Sequence, residues 1–316
     1  MISRRLLRVK ILQMLYAYYN AEDPSFVKYE KDLKYSINKF YDLYHYLMLL
    51  IIDVSKFSEM RMEQSKLKRI PTQEDLNPNT RFIDNEFIAQ LRNSHSFNAY
   101  LNVKKMSWVN YPELVRKLYF EIIESEEYIE YLNAEEKSYK ADKKIIIDIF
   151  EKFIVNNDFL YQILEEQSIF WNDDVEFAIS MIIKTIGKAK KTDNSGVQML
   201  ELYKNEEDSE FVKDLFRKTI SNSSENRTLI ESFIQNWDIE RIALIDIIIM
   251  QMAVTELKEF SSIPTKVTLN EYIDLAKFYS TSKSGTFING ILDKILIHLK
   301  KDNKITKRGR GLIGEV

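Results

Sequence analysis

Only seven glycines and five prolines punctuate this chain of 316 residues, and three of the glycines (Gly309, Gly311, Gly314) fall in its last eight positions. Sheets need tight turns, and tight turns draw on these two residues, so a chain this poor in both is biased toward helix. The apolar spacing agrees. From 41 to 62, Leu43, Leu47, Leu50, Ile51 and Val54 recur at helical intervals, which predicts one long amphipathic helix. The expected fold class is all-α, built as helical bundles.

The two ends of the chain carry the clearest patterns. A first helix is predicted from about 3 to 19, with Ser3 as its N-cap. Its stripe of Ile11, Leu15 and Tyr18 suits a core. Continued backward, that stripe meets Arg8 and Arg4, so the first two turns are expected to project past the core. A helix over 238–257, capped by Asp238, is apolar on nearly every side (Ile242, Ala243, Ile245, Ile247, Ile248, Met250, Met252, Val254). Such a helix must be surrounded by others and is expected at the centre of a bundle. After Pro264, Thr268 and Glu271 have the spacing of a capping box for the next helix. A further helix over 285–299 turns Ile288, Ile291, Leu292, Ile295 and Leu299 inward. Gly290 lies in its middle, where glycine costs about 1 kcal/mol against alanine, and close approach of another helix is the expected reason. Residues 301–316 are expected to form a disordered basic tail.

Between the ends, 69–84 holds two prolines and reads as an exposed connector. Helices are expected again at 112–132 and 143–153, with a charged, solvated stretch at 134–144. There is also an internal echo. Asp148-Ile149-Phe150 recurs as Asp214-Leu215-Phe216, and Asn156, Glu165 and Trp171 recur as Asn222, Glu231 and Trp237, at one spacing (214 − 148 = 66). A duplicated helix pair and chance patterning explain this equally well at the level of sequence.

Constellations that carry chemistry are missing. With no cysteine there is no disulfide, thiol nucleophile or thiolate metal site, and His45, His95 and His298 stand in no ligand spacing. No glycine-rich loop is placed to hold a phosphate. The expectation is therefore a protein that is not an enzyme and uses no cofactor or metal. The longest apolar run, around Ile247 to Met250, is far too short for a membrane span. The N-terminus lacks the apolar run of a signal peptide, which leads us to expect a cytoplasmic protein with no membrane partner.

Net charge is −3, against a globally basic nucleic-acid binder but not against a local patch. Arg4, Arg5 and Arg8 supply one. Cations at a helix N-terminus oppose the helix dipole by roughly 0.3–1 kcal/mol each when exposed. An RNA phosphate would meet both the guanidinium groups and the free backbone N–H groups there, whereas the plain alternative is that these arginines only solubilise. Phe287 and Asn289 each suit packing as well as ligand contact.

Together these residues resemble the NusB family of transcription antitermination factors. Arg4-Arg5-x-x-Arg8 followed by Gln13, Leu15 and Tyr16 is similar to the family's opening basic helix. Trp237-x-x-x-Arg241-x-x-x-x-Asp246 through Ala253-Val254 to Glu256-Leu257 resembles its central helix. Pro264-x-x-Val267-x-x-Asn270-Glu271 leads into Leu275-Ala276-Lys277, and 287–294 (FINGILDK) is the most specific piece. The resemblance covers about 1–22 and 208–300, leaving 24–207 as a long helical insertion. Lys283 and Thr286 depart from it, standing where family members often have an acidic or polar residue and a lysine. The resemblance implies an RNA-binding core of 1–22 plus 208–300 that recognises boxA-type single-stranded RNA of ribosomal RNA transcripts. It implies NusE, a small-subunit ribosomal protein, as partner, within a complex on RNA polymerase. Arg4, Arg5 and Arg8, with Tyr16 nearby, match the RNA-contacting positions; Lys266, Asn270, Lys283, Phe287 and Asn289 are expected on the same surface. Two alternatives stay open: a helical protein–protein scaffold that kept the fold without RNA binding, and an RNA-modifying enzyme, since this fold also occurs fused to ribosomal RNA methyltransferases.

Overall fold

The computed structural model of the chain describes residues 2–193, 195–234 and 242–308, and among them all regular structure is helical. The first helices are α1 (Arg4–Tyr19), α2 (Phe26–Lys66), α3 (Gln73–Leu76), α4 (Glu86–Arg92) and α5 (His95–Lys104). Next come α6 (Pro112–Ile123), α7 (Glu126–Asn133), α8 (Tyr139–Asp148), α9 (Asp158–Gln167) and α10 (Val175–Lys188). The last five are α11 (Glu206–Ser221), α12 (Ser223–Ser232), α13 (Leu244–Glu259), α14 (Thr265–Tyr279) and α15 (Ser284–Lys301). The chain forms two compact units, one of Asn38–Leu202 and one of Ile2–Ile37 with Tyr203–Val316, and the division falls inside α2.

The unit containing both ends is built around α13. Every residue of that helix from Asp246 to Leu257 is buried, and α1, α11, α12, α14 and α15 pack against it. This is what an all-round apolar helix requires. Trp237, Asp238 and Arg241 lie outside the described residues. The inward positions of α15 (Ile288, Ile291, Leu292, Ile295, Leu299) are all buried, each contributing roughly 1.5–3 kcal/mol of transfer free energy.

Four expectations for this unit are corrected. Ser3 does cap α1, accepting the Leu6 N–H at 3.2 Å, but the first turns do not overhang: Leu6, Leu7, Arg8, Val9 and Lys10 are all buried. α14 begins at Thr265, so Thr268 is no cap; it lies buried in the first turn and donates its hydroxyl to Glu256 Oε1 at 2.8 Å. The Thr268 backbone is already helical, so its hydroxyl is not placed to cap the helix and goes to the carboxylate. Gly290 is exposed, and a Cβ there would meet nothing within 4 Å. The helix contact instead falls at Gly285, where a Cβ would stand 3.1 Å from Lys277 Cγ. Finally, the tail is tied down as far as Arg308: Lys307 Nζ donates to the Phe260 carbonyl at 2.9 Å, and the Arg308 N–H to that of Ser261 at 2.9 Å. Gly309, Gly311 and Gly314 lie outside the described residues.

The other unit takes its core from the middle of α2, where Leu43, Leu47, Leu50, Ile51 and Val54 are completely buried, as their spacing predicts. The expected helix over 112–132 is broken between α6 and α7. Ser125 turns the chain by accepting the Tyr128 N–H while its own hydroxyl goes back to the Ile122 carbonyl at 2.6 Å. α8 starts ahead of the expected 143, capped by Ser138, and runs on as a π-helical turn over Ile149–Ile154. The connector 69–84 is anchored toward its end: Phe82 and Arg81 are buried, the Arg81 guanidinium donates to the carbonyls of Ala134 and Glu136, and the Asn79 amide donates to that of Leu132.

The internal echo is structural for two helices. At the spacing of 66 (214 − 148), the α8 segment with its π turn falls on α11, and α9 falls on α12. Burial repeats with it: Asp142, Ile145, Ile146, Ile149 and Phe150 match Asp208, Phe211, Val212, Leu215 and Phe216, all of them buried. Leu164 and Ile230 match in the same way. Shared burial at helical spacing along two helices favours duplication over chance. Trp237, the counterpart of Trp171, lies outside the described residues.

Candidate nucleic-acid interface

The three N-terminal arginines share one side of α1 but live in three environments. Arg8 is inside the protein. Its side chain is 3 % exposed, and Nε and Nη2 donate to the two oxygens of Glu256, each at 2.8 Å. Glu256 is fully buried and also accepts from Thr268 and, at 3.0 Å, from the Tyr272 hydroxyl. Burial alone would make the guanidinium easier to deprotonate; the charge and hydrogen bonds of Glu256 outweigh this and raise its pKa. For Tyr272, burial and the adjacent Glu256 charge act together and push the phenol well up. Arg8 is thus the link that locks α1 onto α13, with Glu271 of α14 at 3.5 Å.

Arg4 and Arg5 are about one-third exposed. Arg4 Nε donates to Asp208 Oδ1 at 2.8 Å, with its guanidinium over the Phe211 ring. Arg5 Nη1 donates to Asp274 Oδ2 at 3.3 Å, and its guanidinium stands 5.6 Å from the centre of the Phe278 ring. All three arginines line a cleft of about 340 Å³, together with Ser3, Glu271, Val267 and the 262–264 segment that leads into α14. The cleft therefore sits at a helix N-terminus. No side chain caps α14, and no acid occupies its first turn. The positive end of the helix dipole, flanked by guanidinium groups and with no side-chain cap or first-turn acid, forms an arrangement suited to an anion.

The other expected residues are not gathered into this cleft. Tyr16 is 44 % exposed but lies two turns further along α1. Lys266 and Asn270 are exposed on α14, one position round the helix from the cleft-lining Val267 and Glu271. Lys283 is exposed at the start of α15, with Phe287 and Asn289 half-buried in that helix. Reasoning from sequence missed Asp208, Asp274 and Phe278. Phe278 had a readable signal, because it is out of phase with the apolar stripe of Leu269, Tyr272, Leu275 and Ala276.

Among the described residues, no group of three histidines or carboxylates is placed to hold a metal ion, and no helix is long and apolar enough to cross a membrane.

Comparison with known proteins gives these residues a context. The NusB family profile matches residues 176–296, from α10 to α15. The transcription antitermination protein NusB of Salinibacter ruber is 40% identical over 143 residues, covering 43% of this chain and 89% of the relative. That of Chloroherpeton thalassium is 38% identical over 104 residues, 33% of this chain and 49% of the relative. A solved NusB from T. maritima aligns over 46% of this chain and 89% of its own at 26% identity, with a TM-score of only 0.30, so the assignment rests on sequence. With nearly the full length of a relative matched at this identity, the chain belongs to the NusB family, as an enlarged form.

Proposed function

We propose that this protein is a transcription antitermination factor that binds boxA-type single-stranded RNA together with NusE, in a complex on RNA polymerase. The observation that carries the reading is the cleft where Arg4 and Arg5 meet the uncapped start of α14. A phosphate there takes charge-assisted hydrogen bonds from both sources, and phosphate contacts of this kind position a strand without reading it. Arg8 serves differently from Arg4 and Arg5: committed to Glu256, it holds α1 so that the other two reach the strand. Tyr16, Lys266, Asn270, Lys283, Phe287 and Asn289 extend the surface along α1, α14 and α15. Asp208 and Asp274 compete for the two exposed guanidinium groups, so binding without NusE is weak.

That competition is also the specific support for a second reading, a scaffold whose arginines are satisfied internally. Filter binding with boxA RNA, with and without NusE at two salt concentrations, separates the two. We expect Arg4→Glu with Arg5→Glu to weaken binding strongly and to flatten its salt dependence, each lost phosphate contact removing roughly 0.7 from the log–log slope. Equal slopes and affinities for wild type and double mutant would leave the scaffold.

A further inference from the structure

We propose that Phe278 is a stacking platform for one base of the RNA strand whose phosphate is held at the Arg4–Arg5 cleft; this rests on the RNA-binding reading above. Of the eighteen phenylalanines, Phe278 alone stands largely in solvent, and at 75 % it is the most exposed large apolar residue of its unit among the described residues. A ring this exposed adds little to the core, and its contact with the Arg5 guanidinium leaves most of its surface open. Its surroundings suit a base. Val267, Glu271, Asp274 and Phe278 are spaced i, i+4, i+7 and i+11, so they form a single line along α14.

That line faces the arginines of α1 throughout. Val267 and Glu271 line the cleft with Arg5, Asp274 accepts from Arg5 at 3.3 Å, and Arg5 ends over the Phe278 ring. The track runs from Val267 at the cleft to Phe278, roughly 16 Å at 1.5 Å per helical residue, with the Arg5 side chain bridging from the cleft to the Phe278 end. An extended strand covers this in a few nucleotides. The two carboxylates between the ends repel phosphates but accept hydrogen bonds from the exocyclic amines of bases. A strand anchored at the cleft would thus turn its bases toward α14 as it approaches Phe278. Unpaired bases stack on such aromatics and on guanidinium planes, and Arg5 and Phe278 present both side by side. The patch is a lone ring among charges, with Lys277 and Asp274 adjacent on α14, a poor match for an apolar protein surface.

The test is a titration of labelled boxA RNA with the full chain plus NusE, comparing wild type, Phe278→Ala and Phe278→Trp, and repeated with RNAs that each lack one base. We expect Phe278→Ala to bind about ten-fold more weakly with an unchanged salt slope, and Phe278→Trp to bind as well as wild type or better. One abasic RNA should lose the same factor with wild type and nothing further with Phe278→Ala. If wild type binds no RNA even with NusE, the functional reading itself falls. If RNA binds and the Arg4/Arg5 double mutant weakens it while Phe278→Ala does not, only the stacking inference falls. Loss of NusE binding by Phe278→Ala in the absence of RNA would assign the ring to a protein partner and overturn the inference too.

Discussion

Replacing Arg8 by methionine tests how α1 is held. The change keeps most of the side-chain volume but removes both hydrogen bonds that Arg8 gives to Glu256, leaving a fully buried carboxylate with Thr268 and Tyr272 as its remaining partners. Breaking a buried ion pair from one side costs roughly 3–5 kcal/mol. We therefore expect a loss of about 3–5 kcal/mol in urea denaturation, a large part of the roughly 5–15 kcal/mol of a whole domain. Adding Glu256→Met should recover much of the stability, because it removes the stranded charge as well. A shift below about 1 kcal/mol for Arg8→Met, or a double variant no better than the single one, would refute the assignment of Arg8 as the lock. Arg5→Met is the internal control: its pair with Asp274 is one-third exposed, and such pairs contribute at most about 1 kcal/mol.

Two further outcomes are expected. Gly290→Ala should raise stability by up to about 1 kcal/mol, because the new methyl group meets no neighbour and the helix loses its most flexible residue; a lower denaturant midpoint would restore the close-contact reading. His45 is buried against Tyr100, and burial, which outweighs its hydrogen bond with the Tyr41 carbonyl, lowers its pKa to about 4. It stays neutral in the fold while the unfolded chain takes up a proton below about 6.5, so its contribution is complete above that pH and lost as pH falls toward 4. The loss amounts to roughly 3 kcal/mol in all, and His45→Phe should flatten the pH–stability curve in that window.

Much of the fold was legible in the sequence because helices declare themselves locally. The scarcity of glycine and proline announced the class, the all-round apolar pattern of α13 announced the centre of a bundle, and the stripes of α2 and α15 named their buried faces. What was not legible depended on partners far along the chain. Arg8 looked like a surface cation because Glu256, which makes it a core residue, is 248 positions away. Thr268 has a sound capping pattern, and only the position of that same carboxylate shows where its hydroxyl goes. Gly290 was misread for a related reason: a glycine within a helix implies a cause but carries no direction, and Gly285, five residues earlier, is the one beside α14. At the interface, the basic residues were visible as types, while the acids that restrain them were not.

The repeated helices set this chain a problem of self-recognition as it folds. Two segments, α8 with its π turn and α11, offer nearly the same buried face, and α1 must choose between them. Its own partners are distant, with Arg4 and Asp208 separated by 204 positions, so the segment nearer in sequence has the advantage of the shorter loop. A buried aspartate does not decide the matter, since Asp142 and Asp208 occupy matching places. The helix that packs behind each of them does. α13 carries Glu256 into the interior, whereas the buried side of α10 is Val175, Ala178, Ile179, Met181, Ile182, Thr185 and Ile186, without an acid. Docked on the wrong copy, Arg8 would lose the carboxylate that α13 supplies and meet the aliphatic side of α10 in its place, a costly setting for a buried guanidinium. The costly internal charge of this protein is in that sense an address label, and it lets a chain that contains the same helices twice assemble in one way.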